Sequence, residues 1–227
     1  MVNISATDDW RIAHPGASLG LLEIAGVDNT APSAVLERRK REIETCLRER
    51  WQGLTRQDFQ SLPIITDYVR YYRGFDKTYH VLLQVESLVL KGRNLPNVNP
   101  LVDANFMAEM ETLVLTAGHD AARLIQPVLM DVSRAGDQIT QMDGTCKAIR
   151  AGDMVMRDAG GVSCAILYGQ DNRSPITSET THALYVAYAP AGVPGEAVEA
   201  QLRMIAGYVQ QFSPPSVVQR LELISAC

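Results

Sequence analysis

The chain has 227 residues, 46% of them hydrophobic and 21% charged, with a formal net charge of −5 at pH 7. That length and balance suit a globular chain that buries its own core without disulfide or metal staples, and they exclude collagen, extended disorder and a disulfide scaffold. No apolar run approaches the roughly 18 residues of a membrane span, and the acidic balance excludes a generally basic nucleic-acid coat while leaving a local basic patch open.

The opening MVNISATDDWR shows no basic segment followed by an apolar one, so no signal peptide is expected. Cys46, Cys146, Cys164 and Cys227 stand too far apart in sequence for a metal knuckle or a redox pair, and they read as reduced thiols of a cytoplasmic protein. His14, His80, His119 and His182 form no HExxH or Cys/His set, so neither a metal nor a cofactor is expected.

In chain order, His14-Pro15-Gly16 predicts a turn and residues 18–27 a short buried strand. Asn29 or Thr30 is expected to cap a helix with Pro32 in its first turn, running to about Trp51. Leu36, Ile43, Leu47 and Trp51 fall on one face of it. Residues 37–42 fall on the other, as a solvated face or a phosphate-contact surface. Residues 63–73 predict a helix opened by Pro63. Residues 81–91 predict another, with Leu82, Val85 and Val89 inward, Glu86 solvated and Gly92 as its stop. Residues 94–100 form a loop in which Asn99 caps a further helix whose first position is Pro100. After Gly118 the texture changes to short segments between turn residues, the spacing of strands and hairpins, from 127 to 190. Residues 181–189 predict a strand, Val198 to Phe212 an amphipathic helix ended by Ser213-Pro214-Pro215, and Val217–Ile224 a final strand. The sum is an α+β fold with no linker that divides residues 1–227 into separate domains.

There is no P-loop, no GxGxxG after a strand and no GxSxG elbow. A longer pattern is present instead. Leu95-Pro96-Asn97-Val98-Asn99-Pro100-Leu101-Val102-Asp103-Ala104-Asn105 is followed by Asp120. Met142-Asp143-Gly144 precedes Gly152-Asp153-Met154-Val155-Met156 and Asp158. Ala165-Ile166-Leu167-Tyr168-Gly169 leads through a polar loop with Thr177, Thr180 and Thr181 to an apolar strand. In order and spacing this resembles the B3/B4 editing module of the bacterial phenylalanyl-tRNA synthetase β subunit, and in particular its stand-alone relatives with an extra N-terminal strand and helix. The resemblance covers roughly residues 80–190. It implies a β-sandwich-like α+β core of the B3/B4 type with flanking helices.

The resemblance also implies a chemistry, water attack on an aminoacyl ester, which needs a group to orient water, donors for the oxyanion and a pocket for the amino acid. Carried over residue by residue, the family's Val-Asp falls at Asp103 and its pocket threonine at Asn105. Its following asparagine falls at Phe106 and its histidine at Ala117, with His119 two residues away. A small pocket residue matches Ala165, and the threonine before the last strand matches Thr181. The glutamate that reads a tyrosine hydroxyl falls at Ala187. The editing histidine and glutamate are therefore not in register. In their place, Asn105, His119 and Thr177 are candidates to hold water. Arg173 offers a fork for a phosphate or carboxylate. Asp103, Ala165, Ser174, Thr180 and Thr181 are candidates for substrate contact. Asp103 equally suits a structural role in a first helical turn, and Arg173 an ordinary polar turn.

Three functions follow. The first is a module that binds RNA or the aminoacylated end of tRNA, a role that predicts a basic patch of Arg38–Arg41 with Arg173. The second is a trans-acting aminoacyl-tRNA deacylase. The third is a small-molecule pocket for an amino-acid-like ligand. No membrane partner is expected.

Overall fold

The computed structural model describes residues 1–226; Cys227, read above as a reduced thiol, lies outside the described residues. The chain runs through β1 (Ile4–Ala6), α1 (Asp8–Ala13) and β2 (Ser18–Ala25) into a helical stretch. That stretch holds α2 (Ala34–Arg50), α3 (Arg56–Gln60), α4 (Pro63–Arg73), α5 (His80–Val89) and α6 (Pro100–Thr112). The β-rich part follows: β3 (Thr116–Asp120), β4 (Val128–Val132), β5 (Gln138–Thr140), β6 (Cys146–Ala148), β7 (Met154–Asp158), β8 (Gly161–Ala165), β9 (Gly169–Gln170) and β10 (His182–Ala189). Helix α7 (Gly195–Phe212) and strand β11 (Val217–Ser225) close the chain. The fold is α+β, as the resemblance implied.

Two sheets share one hydrophobic core. One has the strand order β1-β4-β7-β8-β9 and the other β11-β2-β10-β3, while β5 and β6 form a separate hairpin. In the second sheet β2 and β10 are central and buried along nearly their whole length. Their sequences, SLGLLEIA and HALYVAYA, accordingly run almost without polar alternation. Strand β3 is the outermost strand of that sheet, pairing with β10 from Ala187↔Thr116 to Ala183↔Asp120, while an isolated bridge from His119 to Pro175 covers part of its other side.

Helix α6 is buried on almost every side, which removes any amphipathic stripe. Asn99 Oδ1 caps it by accepting from Val102 N at 3.1 Å, and Pro100 occupies its first turn. At the other end Leu113 takes a left-handed conformation (φ 65°). Its carbonyl accepts a hydrogen bond from Tyr79 Oη at 2.8 Å, which helps hold that turn in place.

Several expectations need correction. The cap of α2 is Ser33, whose Oγ accepts from Leu36 N at 3.3 Å. Asn29 instead bridges three segments: its Nδ2 donates to Thr177 O (2.7 Å) and Asn99 Oδ1 (3.1 Å), and its Oδ1 accepts from Leu101 N (2.9 Å). The charged run on α2 is not wholly solvated, since Lys40 is fully buried. Its ammonium donates to Asp103 Oδ2 (2.7 Å), Asn97 Oδ1 (2.8 Å) and Pro96 O (2.9 Å). Glu86 is also buried, 3.2 Å from Arg56 Nε. Strand β3, with the sequence TAGHD, carries no alternation to announce it.

Candidate functional site

Two helices and an edge strand build the site. Asn105 and Glu109 lie one turn apart on α6, and both reach Thr116 at the start of β3. Asn105 Nδ2 donates to Thr116 O (2.9 Å), and Glu109 Oε1 accepts from Thr116 N (2.8 Å). The two side chains thus satisfy backbone groups of an edge strand, which would otherwise be left open. The bond from Nδ2 fixes the Asn105 amide. Its Oδ1 is buried and has no hydrogen-bond partner among the described residues.

These residues open onto a cavity of about 240 Å³. His80 and Gln84 of α5, also one turn apart, line it, as do Gln170 of β9 and the apolar side chains of Phe106, Ile166, Ile176 and Tyr185. Gly118 leaves the room: a Cβ there would lie 2.7 Å from Ile176 Cδ1 and 3.0 Å from Tyr185 Cε1. Burial pushes Glu109 up to about 8, so its carboxyl is mainly protonated at neutral pH. Burial pushes His80 down to about 4, so its imidazole is neutral. Cys164 also lines the cavity, but burial raises its thiol to about 12, and a thiol is a poor nucleophile. Among the described residues lining the cavity there is no lysine or arginine.

Of the residues singled out from the sequence, Asn105 and Ala165 line this cavity. The others do not. Asp103 is buried in the ion pair with Lys40 and also accepts from Val98 N at 3.1 Å. His119 is fully buried behind the cavity wall. Its Nδ1 accepts from Gln170 Nε2 (3.1 Å) and lies 2.8 Å from Ser174 Oγ, and burial pushes it down to about 3. A histidine that neither protonates nor meets the cavity is poorly placed to activate water there. Arg173 is held by Asp158 Oδ1 (2.8 Å) and Asp171 Oδ2 (2.5 Å). Thr180 Oγ1 donates to Asp120 Oδ2 (2.8 Å) and accepts from Thr177 N (2.9 Å), while Thr177 Oγ1 accepts from Glu179 N (3.3 Å). Thr181 is exposed. The polar loop is thus satisfied by its own groups together with His119 and Asp120 of β3, and Ser174 belongs to that bonding.

The expected basic patch is paired as well. Arg38 and Arg39 meet Glu42 at 4.0 and 3.4 Å, and Arg41 meets Glu44 at 2.6 Å. Sequence reading passed over Glu109, His80, Gln84 and Gln170. A signal existed for the first: Glu109 stands four residues after Asn105 on the same helix, so the two share a face.

Fold and site together define an α+β module with an amino-acid-sized cavity and uncharged polar groups on its wall. The B3/4 domain family matches residues 67–209, and the chain belongs to that family. Among solved structures it is similar to an N-terminal fragment of the phenylalanyl-tRNA synthetase β subunit from Pyrococcus horikoshii, at 7% identity and a TM-score of 0.49. The likeness covers 96% of this chain and 54% of the fragment, so the chain spans about half the length of that fragment. No curated protein matches the chain. Among the described residues no helix is long and apolar enough to cross a membrane.

Proposed function

We propose that this B3/4 module binds an amino-acid-like ligand, with a mainly apolar side chain, in the cavity between α5, α6 and β3. The reading treats residues 1–227 as one domain around an 80–190 core. The observation that carries it is Asn105, which lines a cavity of about 240 Å³ and whose buried Oδ1 has no hydrogen-bond partner among the described residues. A buried acceptor without a partner is rare in a folded protein and invites a donor from a ligand. The loop bearing Arg173 and the arginines of α2 give less support to RNA recognition through a basic patch, because their charges are met by neighbouring carboxylates. Titration calorimetry with apolar amino acids and their amides tests the reading. Saturable heat abolished by Phe106→Trp, which fills the cavity, supports it; no heat from any of them overturns it.

A second reading is favoured by Glu109. A cavity carboxyl raised to about 8 suits a general base, because it ionises near working pH. In that reading the ligand arrives as the aminoacyl group of a tRNA end, and Asn105 and Glu109 orient the water that hydrolyses the ester. Deacylation of a panel of charged and mischarged tRNAs separates the two: release above the spontaneous rate, lost in Glu109→Gln, makes the module a deacylase.

A further inference from the structure

Tyr72 Oη donates to Ile166 O at 2.6 Å, and it lies 3.1 Å from His80 Nδ1. A phenol has one proton. Because that proton is given to the carbonyl, the bond between Tyr72 and His80 runs from the imidazole: Nδ1–H donates to the phenol oxygen. The remaining ring nitrogen, Nε2, then carries a lone pair. His80 lines the cavity, as does Asn105 with its unpartnered Oδ1. His119 has the opposite arrangement, since Gln170 Nε2, whose donor character is set by its bond to Ser174 O (2.7 Å), also donates to its Nδ1. A protein-wide preference for one tautomer therefore does not explain the state of His80.

We propose that His80, held in its Nδ1–H tautomer by Tyr72, is a specificity-determining acceptor that, with Asn105 Oδ1, selects ligands presenting hydrogen-bond donors and rejects free carboxylates. This rests on the ligand-binding reading above and narrows the ligand class to amines and amides. A carboxylate entering here would meet two lone pairs and no lysine or arginine among the described lining residues. The other wall groups able to donate to it, the Gln84 amide and the protonated Glu109 carboxyl, are neutral, so its hydration would be lost with no compensating charge. The low proton affinity of half-buried His80 agrees with this, because a protonated ring would instead attract an anion.

Two measurements test it. The first is the two-bond proton–nitrogen correlation pattern of the histidine rings in the unliganded protein labelled with nitrogen-15. Protonated Nδ1 at His80 and protonated Nε2 at His119 are expected; a His80 protonated on Nε2 overturns the inference without any ligand. The second is calorimetric titration with alanine, leucine and phenylalanine against their amides. The amides are expected to bind at least about tenfold more tightly, and Tyr72→Phe to reduce that preference while the amide correlation spectrum stays folded. Equal binding of acid and amide overturns the inference and leaves the ligand-binding reading standing. Binding of neither overturns both.

Discussion

One helix carries two buried polar sets, and they end differently. In the first turn of α6, Asp103 is saturated: Lys40 Nζ and Val98 N both donate to it, and Lys40 is in turn bonded to Asn97 and Pro96. In the following turns, Asn105 and Glu109 are only half used. Each spends one oxygen or nitrogen on Thr116, and the Asn105 oxygen has nothing opposite it. Both sets are buried and both include a carboxylate, so residue type and burial do not distinguish them. Completeness of pairing does. A saturated set ties α2 and the loop after α5 to α6 and is structure, whereas an incomplete set beside a cavity has bonding capacity to offer a ligand.

The sharpest way to break that contrast is to unpair the saturated set. Lys40→Ala leaves Asp103 buried without its cation, and such truncations cost about 3–5 kcal/mol. Urea unfolding is the check. A loss under about 1 kcal/mol would mean that Asp103 is rescued by water and that the set is not the clamp described. Lys40→Met with Asp103→Leu, which removes both charges together, is expected to recover much of the loss.

The incomplete set responds to pH instead. Glu109 rises from 4.5 to about 8 on folding, so between those values the folded protein holds a proton that the unfolded chain has released. Its contribution to stability is complete on the acid side and is lost as pH climbs through about 8, with a slope of at most about 1.4 kcal/mol per pH unit. Asp153, raised to about 7, acts in the same direction over a lower window. Glu109→Gln mimics the protonated carboxyl and is expected to flatten the decline between about pH 4.5 and 8, leaving the part due to Asp153, which ends near 7. An unchanged slope would remove the raised carboxyl from the account.

Which of these features the sequence disclosed follows from distance along the chain. The helix over 63–73, the Asn99 cap and the strand over 182–189 rest on local spacing and capping chemistry, and local signals survive into the fold. The burial of Lys40 depends on Asp103, 63 positions away, and no window on α2 contains that information. His119 and Arg173 misled for the same reason. Each stands among polar residues that resemble a site, and only the fold shows that Ser174, Gln170, Asp158 and Asp171 already occupy them. Asn105 was drawn from the family pattern, and the fold places it on the cavity wall with Glu109 one turn later on the same helix.

Smaller effects extend the contrast to the loop and the surface. Arg173→Ala is expected to lower stability by about 1–3 kcal/mol, because it strips charged hydrogen bonds from Asp158 and Asp171. It should leave ligand affinity within about twofold. A large affinity loss with unchanged stability would instead return Arg173 to the site. The weakest expectation concerns Arg38 on the outer face of α2, with 71% of its side chain exposed and Glu42 4.0 Å away. Solvent screens such a pair, and holding two long side chains together opposes what attraction remains, so Arg38→Ala should shift stability by less than about 0.5 kcal/mol. Lys40 sits two residues further along the same helix with an ordinary charge, yet its truncation is expected to cost several times more. The ratio between these two substitutions, measured in one denaturation series, reports burial and pairing directly, since charge and helix are held constant. Comparable losses at both positions would show that the outer face of α2 packs against something, and would revive it as a contact surface.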